Sequence, residues 1–328
     1  MIRIKKHLFY LVYLLFSVSI ILTIIELTVR QILPQIKLSG TSKNLIADSL
    51  YSNTPGIAPN KEGMSNGVIK YTNKFHAWKY SSEPFTKHKI RLILGDSVTM
   101  GIGIANDSTF IGIINNKIDS LGFINLSLIG YSSKDYYQVL KAYLNIHKNV
   151  ELSNVSVFWT LNDIYSNYPG NISPEINTNS ILQSIISFLR KHSKTFHLLK
   201  NLFFDRAQDY YLYDSKFYNP QYSLLNESMK DLKMISEICD SLNISLELFL
   251  LPYEYQIRNF NTDTIFSPQN NLNLKFKNDI KNGKIIDCRG AFAEYVDESP
   301  KLYLYGDGIH LSEKGHKEMA AFIIRKNF

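Results

Sequence analysis

The sequence contains only two cysteines, Cys239 and Cys288, and they lie far apart in the chain. This spacing does not fit a metal site. Because cysteine is among the residue types most often buried, we expect two buried free thiols rather than one disulfide. The chain also lacks an H-E-x-x-H motif and a paired C-x-x-C motif, so it offers no recognisable metal site.

Nucleotide-binding motifs are absent as well. The segment GIGIAN lacks the third glycine of a dinucleotide-binding loop, and no G-K-[ST] phosphate loop occurs. The net charge is only +7, from 36 basic and 29 acidic residues, and the basic residues are scattered. We therefore expect no cofactor and no nucleic-acid partner.

Long apolar runs are rare, but one lies at the N-terminus. Leu8–Ile25 carries no charge over 18 residues, and Arg3, Lys5 and Lys6 precede it. An 18-residue helix spans about 27 Å, close to the thickness of the bilayer core. The basic cluster predicts a cytoplasmic N-terminus and an exported remainder. We favour an uncleaved signal anchor because no small-x-small cleavage site follows; a cleaved signal and a buried core helix are the alternatives.

We expect three parts in the chain. Residues 1–30 form a cytoplasmic tip and transmembrane anchor, and residues 31–88 form a tether and an extended lead-in. Residues 89–328 form an α/β domain with an insertion at about 164–226. The insertion contains the amphipathic helical segment SILQSIISFLRKHSKTFHLLKNLFF. This segment is interpreted as packing over one edge of the sheet, or alternatively as a lid or a membrane-lying helix.

Strand and helix patterns alternate from residue 89 onward. Strands are predicted at Ile90–Leu94, Phe123–Leu128, Val155–Thr160, Ile244–Leu251 and Lys284–Asp287. Helices are predicted at Thr109–Leu121, Ser132–His147, Glu227–Leu242 and Glu313–Arg325. Strands separated by helices imply a parallel sheet that is covered on both faces. The sequence thus predicts a three-layer α/β/α domain with about five parallel strands.

Candidate catalytic residues follow the predicted strands. The segment KIRLILGDSVTMGIG places Asp96 and Ser97 directly after a buried strand, where ligands collect in open α/β sheets. A serine at this position can serve as a helix cap, as part of a phosphate-binding loop or as a nucleophile. A nucleophilic serine needs a base and a group that orients the base. Asp307 and His310 in YGDGIHLSEKGH have a suitable spacing, although a capping loop with a surface histidine is the alternative.

Two further strand ends supply candidates for binding an oxyanion. Gly130 follows the second predicted strand, and Asn162 with Asp163 follows the third. A backbone N–H without a nearby side chain and an amide side chain are both suitable donors. An ordinary turn glycine and an ordinary turn asparagine are the alternatives.

These blocks resemble the SGNH or GDSL hydrolase family. GDSVTMG resembles its first block, Gly130 its second, TLND its third and the D-x-x-H of Asp307 and His310 its fifth. The resemblance implies a flavodoxin-like fold, ester hydrolysis or acyl transfer, and a nucleophile at Ser97. It also implies an oxyanion hole from the Ser97 and Gly130 amides and the Asn162 side chain. Asp96 and Asp163 are expected to hold the site together.

One residue departs from the family pattern. Thr160 stands where the third block carries glycine, and its side chain is expected to narrow the acyl pocket or shift Asn162. For an exported, membrane-anchored enzyme of this kind, the expected substrates are acyl esters, commonly acetyl, on envelope or exported glycans. A lipid-ester hydrolase and a non-catalytic scaffold in envelope assembly are the alternatives.

Overall fold

The computed structural model describes residues 2–51, 53–84, 89–164, 180–219, 221 and 223–327. The strands in these ranges are β1 (Ile46–Tyr51), β2 (Thr54–Ile57), β3 (Glu62–Ser65), β4 (Val68–Tyr71), β5 (Lys89–Gly95), β6 (Leu121–Asn125), β7 (Leu152–Trp159), β8 (Ser245–Leu250) and β9 (Gly283–Asp287). The α-helices are α1 (Ile2–Ile32), α2 (Ser97–Met100), α3 (Phe110–Lys117), α4 (Ser133–Ile146), α5 (Ser180–His192), α6 (Lys194–Phe203), α7 (Arg206–Ser215), α8 (Ser223–Ser241), α9 (Glu254–Arg258), α10 (Ser267–Asp279) and α11 (Glu313–Asn327).

The centre of the molecule is a parallel sheet in the order β6-β5-β7-β8-β9. Counted along the chain, this is the order 2-1-3-4-5 of flavodoxin-like sheets. Helices α3 and α11 pack together, and α4, α8 and α10 form a second packed group. The three-layer α/β/α fold with five parallel strands is therefore confirmed. In this topology the chain reverses its direction of winding between β5 and β7, which is where such folds bind ligands.

The sheet forms because its central strands are apolar on both faces. Leu92, Ile93 and Leu94 of β5 are fully buried, as a strand covered by helices on both sides requires. Phe158 of β7 stacks on Phe249 of β8 with ring centroids 4.4 Å apart. These contacts fix the relative positions of the strand ends that carry the candidate residues.

The boundaries of two predicted elements differ from the observed ones. The second strand runs over Leu121–Asn125 instead of Phe123–Leu128, because the Asn125 side chain accepts hydrogen bonds from the N–H and hydroxyl of Ser127 and turns the chain. The helix predicted to end at Leu121 ends at Lys117. Both cysteines are buried and free, as expected.

The lead-in contains two antiparallel hairpins, β1-β2 and β3-β4. Lys70 of β4 is fully buried, and its ammonium donates a 2.7 Å hydrogen bond to the Met100 carbonyl at the end of α2. Burial lowers the pKa of Lys70 to about 7. Trp78 donates through its ring N–H to the Ser127 carbonyl (2.8 Å). The lead-in is therefore packed against the loops that follow β5 and β6.

Helix α1 contains a stretch from Phe9 to Ile32 that is long and apolar enough to cross a membrane, by length and composition. Among the described residues it is the one helix that meets this test. Only 6% of its most apolar part is buried, so the alternative of a buried core helix does not hold.

The expected insertion lies partly outside the described residues, which resume at Ser180. Its amphipathic segment, predicted as one helix, consists of the two helices α5 and α6 with a break at Ser193. The break arises because the Ser193 hydroxyl accepts a hydrogen bond from Phe196 N–H and so caps a new helix.

Candidate active site

Ser97 lies at a sharp turn between β5 and α2. Asp96 caps α2, and its carboxylate accepts a 2.9 Å hydrogen bond from Val98 N–H. Gly95 is required at this turn because an added Cβ would lie 2.3 Å from Thr99 Oγ1. Ser97 itself is only 6% exposed, but its hydroxyl faces a histidine from the other end of the chain. The turn therefore presents this hydroxyl beyond the carboxyl end of the sheet.

The structure places His310 within hydrogen-bond distance of both Ser97 and Asp307. Ser97 Oγ lies 2.8 Å from His310 Nε2, and His310 Nδ1 lies 2.7 Å from Asp307 Oδ1. Asp307 Oδ1 also accepts hydrogen bonds from the N–H groups of Ile309 (3.1 Å) and His310 (2.9 Å). The loop thus folds around the carboxylate, which fixes both the backbone and the ring of the histidine.

The charges in this chain of hydrogen bonds keep Asp307 ionised, and its carboxylate stabilises the protonated form of His310. Burial alone raises the pKa of Asp307, but the neighbouring His310 outweighs it and holds the pKa well below the usual range. Burial alone lowers the pKa of His310, and the Asp307 carboxylate raises it above the usual value. With the carboxylate on Nδ1–H, Nε2 is the acceptor that faces the serine hydroxyl.

Asn162 also lies at this edge of the sheet, after β7. Its Nδ2 donates to Asp96 Oδ2 at 3.3 Å, and its Oδ1 accepts from Thr160 Oγ1 at 2.7 Å. The Thr160 contact fixes the orientation of the amide, so the NH₂ group faces Asp96, next to Ser97. An amide nitrogen carries two hydrogens. Among the described residues Asp96 accepts one of them, and the other is suited to an oxygen bound beside Ser97.

Thr160 supports Asn162 and does not displace it. Its backbone N–H donates to Asp163 Oδ2 (2.8 Å), and its hydroxyl lies 2.9 Å from Asp163 Oδ1. Burial, together with the nearby Asp96 carboxylate, raises the pKa of Asp163 well above its usual range. A protonated Asp163 can donate to the Thr160 hydroxyl, which then donates to Asn162. Thr160, which stands where the family pattern has glycine, thus holds the Asn162 amide through its hydroxyl.

Tyr253 and Asp214 belong to the same network, and sequence reasoning did not identify them. The Tyr253 hydroxyl accepts a hydrogen bond from Asn162 N–H (3.1 Å) and lies 3.0 Å from Asn162 Oδ1 and 2.7 Å from Asp214 Oδ2. Tyr253 follows the end of β8, so the strand-end rule used for Ser97 and Asn162 would have found it. Asp214 lies inside the aromatic-rich insertion, where no pattern singles it out.

Gly130 is exposed, with a φ of +83° and open space where a Cβ would stand. Two residues before it, Leu128 N–H donates to the Gly95 carbonyl at 3.2 Å. This hydrogen bond ties the loop of Gly130 to the turn that carries Ser97. A positive φ favours glycine at this position.

The insertion contacts the loop that carries Asp307. Arg206 of α7 donates to the Gly306 carbonyl at 3.2 Å. Gly308 packs so tightly that an added Cβ would lie 2.4 Å from Ala207 Cβ. This contact was not predicted, because α7 shows no strong pattern in the sequence. The insertion therefore buttresses the loop from the outside.

The geometry suits transfer of a proton from a serine to a histidine, with an amide donor beside the serine. Within the described ranges, no group of three or more His, Cys, Asp or Glu side chains could hold a metal ion.

Comparisons with known proteins were made at the level of sequence and of structure. None of the family models and none of the curated proteins compared with the chain matches it. Among solved structures, the chain is similar to a member of the lipolytic protein G-D-S-L family from Veillonella parvula (16% identity, TM-score 0.41, 73% of this chain and 98% of that one). It is also similar to Axe2, an acetylxylan esterase from Geobacillus stearothermophilus (15%, 0.44, 75% and 97%). A third is the psychrotrophic esterase EstA from Pseudoalteromonas sp. (12%, 0.43, 72% and 95%).

Proposed function

We propose that the protein is a serine esterase of the SGNH type. The observation that carries the proposal is the continuous chain of hydrogen bonds from Ser97 through His310 to Asp307. In this mechanism Ser97 Oγ attacks an ester carbonyl while its proton moves to His310 Nε2. Asp307 stabilises the imidazolium that forms, and His310 then returns the proton to the leaving alcohol.

The tetrahedral intermediate needs hydrogen-bond donors for its oxyanion. We assign this role to the N–H groups of Ser97 and Gly130 and to Asn162 Nδ2. Water, activated by His310, then attacks the acyl-enzyme carbonyl, and the acid and the free serine are released. If a sugar hydroxyl takes the place of water, the same residues transfer the acyl group instead of hydrolysing it.

The proposed substrates are acyl esters, commonly acetyl, on exported or cell-envelope glycans. Support for this location comes from α1, which is apolar enough to anchor the chain, and from the basic residues that precede its apolar run. The N-terminus is then cytoplasmic, and the sheet domain lies on the exported side. A lipid ester is a second candidate, because Phe203 and other exposed apolar side chains lie on the insertion that packs against the Asp307 loop.

The proposal is tested with a fluorophosphonate probe, which reacts with activated serines. The full chain in detergent is expected to be labelled, and Ser97→Ala is expected to lose labelling completely. Ser241→Ala, which removes an exposed hydroxyl at the end of α8, is the matched control and keeps full labelling. Labelling of Ser97→Ala at the wild-type rate would overturn the assignment. Acetate release from acetylated glycan, compared with fatty-acid release from lysophospholipid, separates the two substrate classes.

A further inference from the structure

Helices α5 and α6 contain no buried residue among those whose side chains are described. Most of their large apolar side chains are instead exposed, and the others are half-buried, which is unusual for helices with one strongly apolar face. The most exposed fractions on α5 belong to Ile181 (72%) and Phe188 (61%), and on α6 to Leu202 (67%) and Phe203 (77%). The described residues therefore leave this apolar surface without cover.

The Arg and Lys side chains of α5 and α6 give the helix pair charge of one sign, which is positive. The 24 residues from Ser180 to Phe203 contain no Asp or Glu, and their basic residues are Arg190, Lys191, Lys194 and Lys200. An amphipathic helix with basic residues beside an apolar face is typical of segments that lie in the interface of a membrane. This composition favours a lipid surface with anionic headgroups over a protein surface of mixed charge.

The junction of α5 and α6 is attached to one particular part of α1. The Glu26 carboxylate accepts hydrogen bonds from Ser193 Oγ (2.8 Å), Lys194 N–H (2.9 Å) and Thr195 N–H (3.0 Å). Arg30 donates to the His192 carbonyl at 2.6 Å. These four hydrogen bonds join the α5–α6 junction to the last turns of α1.

Glu26 is the first charged residue after the uncharged run Leu8–Ile25. If that run spans the bilayer, Glu26 lies at the level where the hydrocarbon region ends. The exposed apolar faces of α5 and α6 are then held at the boundary between lipid and water. The hydrogen bonds to α1, and not the apolar composition alone, therefore identify the lipid surface as what covers the two helices.

We infer that α5 and α6 lie in the membrane interface on the sheet-domain side and fix the height of the Asp307–His310 loop above the bilayer. The inference rests on the membrane anchor described under the proposed function. The link to the loop is short, because α6 is followed at once by Arg206, which donates to the Gly306 carbonyl. Gly306 also lies against Asn201 of α6: a Cβ added at Gly306 would lie 2.6 Å from the Asn201 side chain. The candidate active site is thereby held close to the lipid surface.

The test measures the membrane depth of single side chains in the full chain. Cysteine is introduced at Leu15 in α1, at Phe203 in α6 or at Leu274 in α10, which is 64% exposed on the sheet domain. Each variant is labelled with an environment-sensitive fluorophore and reconstituted into phosphatidylcholine vesicles with or without phosphatidylglycerol. Lipids carrying a nitroxide quencher at different depths report the position of the label. The chain without an added cysteine gives the background, which is expected to be low because Cys239 and Cys288 are buried.

We expect deep quenching at Leu15, shallow quenching about 5–10 Å below the headgroups at Phe203, and no quenching at Leu274. Phosphatidylglycerol is expected to increase quenching at Phe203 only. Labelling by fluorophosphonate in the same samples checks that each variant is folded, and Phe188→Cys provides a second position on the pair.

Three results would overturn the inference. If Leu15 is quenched while Phe203 and Phe188 behave like Leu274, the anchor stands and the interfacial position of the helices fails. If Leu15 is not quenched either, the anchor itself fails, and this inference fails with it. If Phe203 becomes protected as the ratio of protein to lipid rises, without any quenching by lipid, a second copy of the chain covers the face. Esterase activity on a soluble ester is independent of all three results.

Discussion

The edge of the sheet and the helix pair α5–α6 stabilise their side chains in opposite ways. At the sheet edge, polar groups from distant parts of the sequence are buried and hydrogen-bonded: Asp96 and Asp163 are completely buried, and each takes part in at least two hydrogen bonds. On α5 and α6, apolar groups from one continuous segment are exposed. A buried polar network tolerates little change, because each lost partner leaves another group unsatisfied. An exposed apolar face tolerates substitution in solution and acquires its role only when something covers it.

The largest effect is expected from Asp307→Asn. An asparagine no longer stabilises an imidazolium and can hold the wrong tautomer of His310, so kcat is expected to fall roughly 10⁴-fold. In the wild type, His310 must be neutral to accept the proton, and its raised pKa means that activity is lost on acidification at a pH above the usual histidine value. Without the carboxylate, burial dominates and the acidic limb of the kcat/KM profile moves to lower pH.

The control for this prediction is Asp205→Asn. Asp205 is an exposed carboxylate that pairs with Arg258 and caps α7, and asparagine retains the cap. Its pH profile is expected to match the wild type. An unchanged acidic limb in Asp307→Asn would show that another group sets the pKa of the base.

A smaller effect is expected from Asn162→Ala. Loss of one oxyanion donor typically lowers kcat by roughly 10²–10³ with KM little changed. The melting temperature is expected to change little, because the Thr160 hydroxyl keeps Asp163 and the Tyr253 hydroxyl keeps Asp214 as partners. Steady-state kinetics on a small activated ester and thermal melts measure both quantities.

Two variants provide the contrast for Asn162. Asp163→Ala is expected to lower the melting temperature clearly, because Thr160 N–H loses its acceptor in a buried site. Asn259→Ala removes an asparagine whose side chain, among the described residues, donates to the Tyr255 carbonyl alone, near the end of α9, and it is expected to keep full activity. If Asn162→Ala melts early yet keeps its kcat, Asn162 is a turn residue and the oxyanion donors lie elsewhere.

Thr160→Val is expected to lower kcat about tenfold, equivalent to about 1.4 kcal/mol, a typical value for one hydrogen bond. Valine keeps the volume but loses the hydroxyl that orients the Asn162 amide. Thr160→Ser keeps the hydroxyl and is expected to restore kcat. Equal loss in both variants would mean that the methyl group, through packing, and not the hydrogen bond supports the site.

The strand ends of the sheet were accessible to sequence reasoning because one local rule covers them. A buried apolar run followed at once by small polar residues predicted the positions of Ser97 and Asn162, and the parallel order of the strands then brings the two together. His310 was found because a loop histidine with an aspartate three residues earlier is a compact local pattern. In each case the chemical signal lies within a few residues.

Contacts between distant segments gave no such signal. The helix α10 was not predicted because it is largely polar, and its buried side chains are few. The junction of α5 and α6 contacts Glu26, which lies 167 residues before Ser193. Asp214 reaches the site only through the Tyr253 hydroxyl. Such contacts follow from the packed fold and not from any local periodicity.

The smallest effect is expected from Phe203→Ala, which is compared with Phe276→Ala. Both phenylalanines are helical, but Phe203 is 77% exposed at the end of α6 and Phe276 is completely buried in α10. Removal of a buried phenylalanine typically costs about 3–5 kcal/mol, because apolar contact is lost and a cavity remains. Removal of an exposed phenylalanine changes the free energy of unfolding by less than about 0.5 kcal/mol.

Denaturant unfolding of the full chain in one mild detergent measures the free energy of unfolding of both variants. Phe203→Ala is also expected to keep its kcat on a soluble ester, since the hydrogen bond from the Arg206 guanidinium to the Gly306 carbonyl does not involve the Phe203 ring. If Phe203→Ala lowers the free energy of unfolding nearly as much as Phe276→Ala does, then α6 packs on protein in solution. The contrast between a buried, paired sheet edge and an uncovered helix pair would then be wrong.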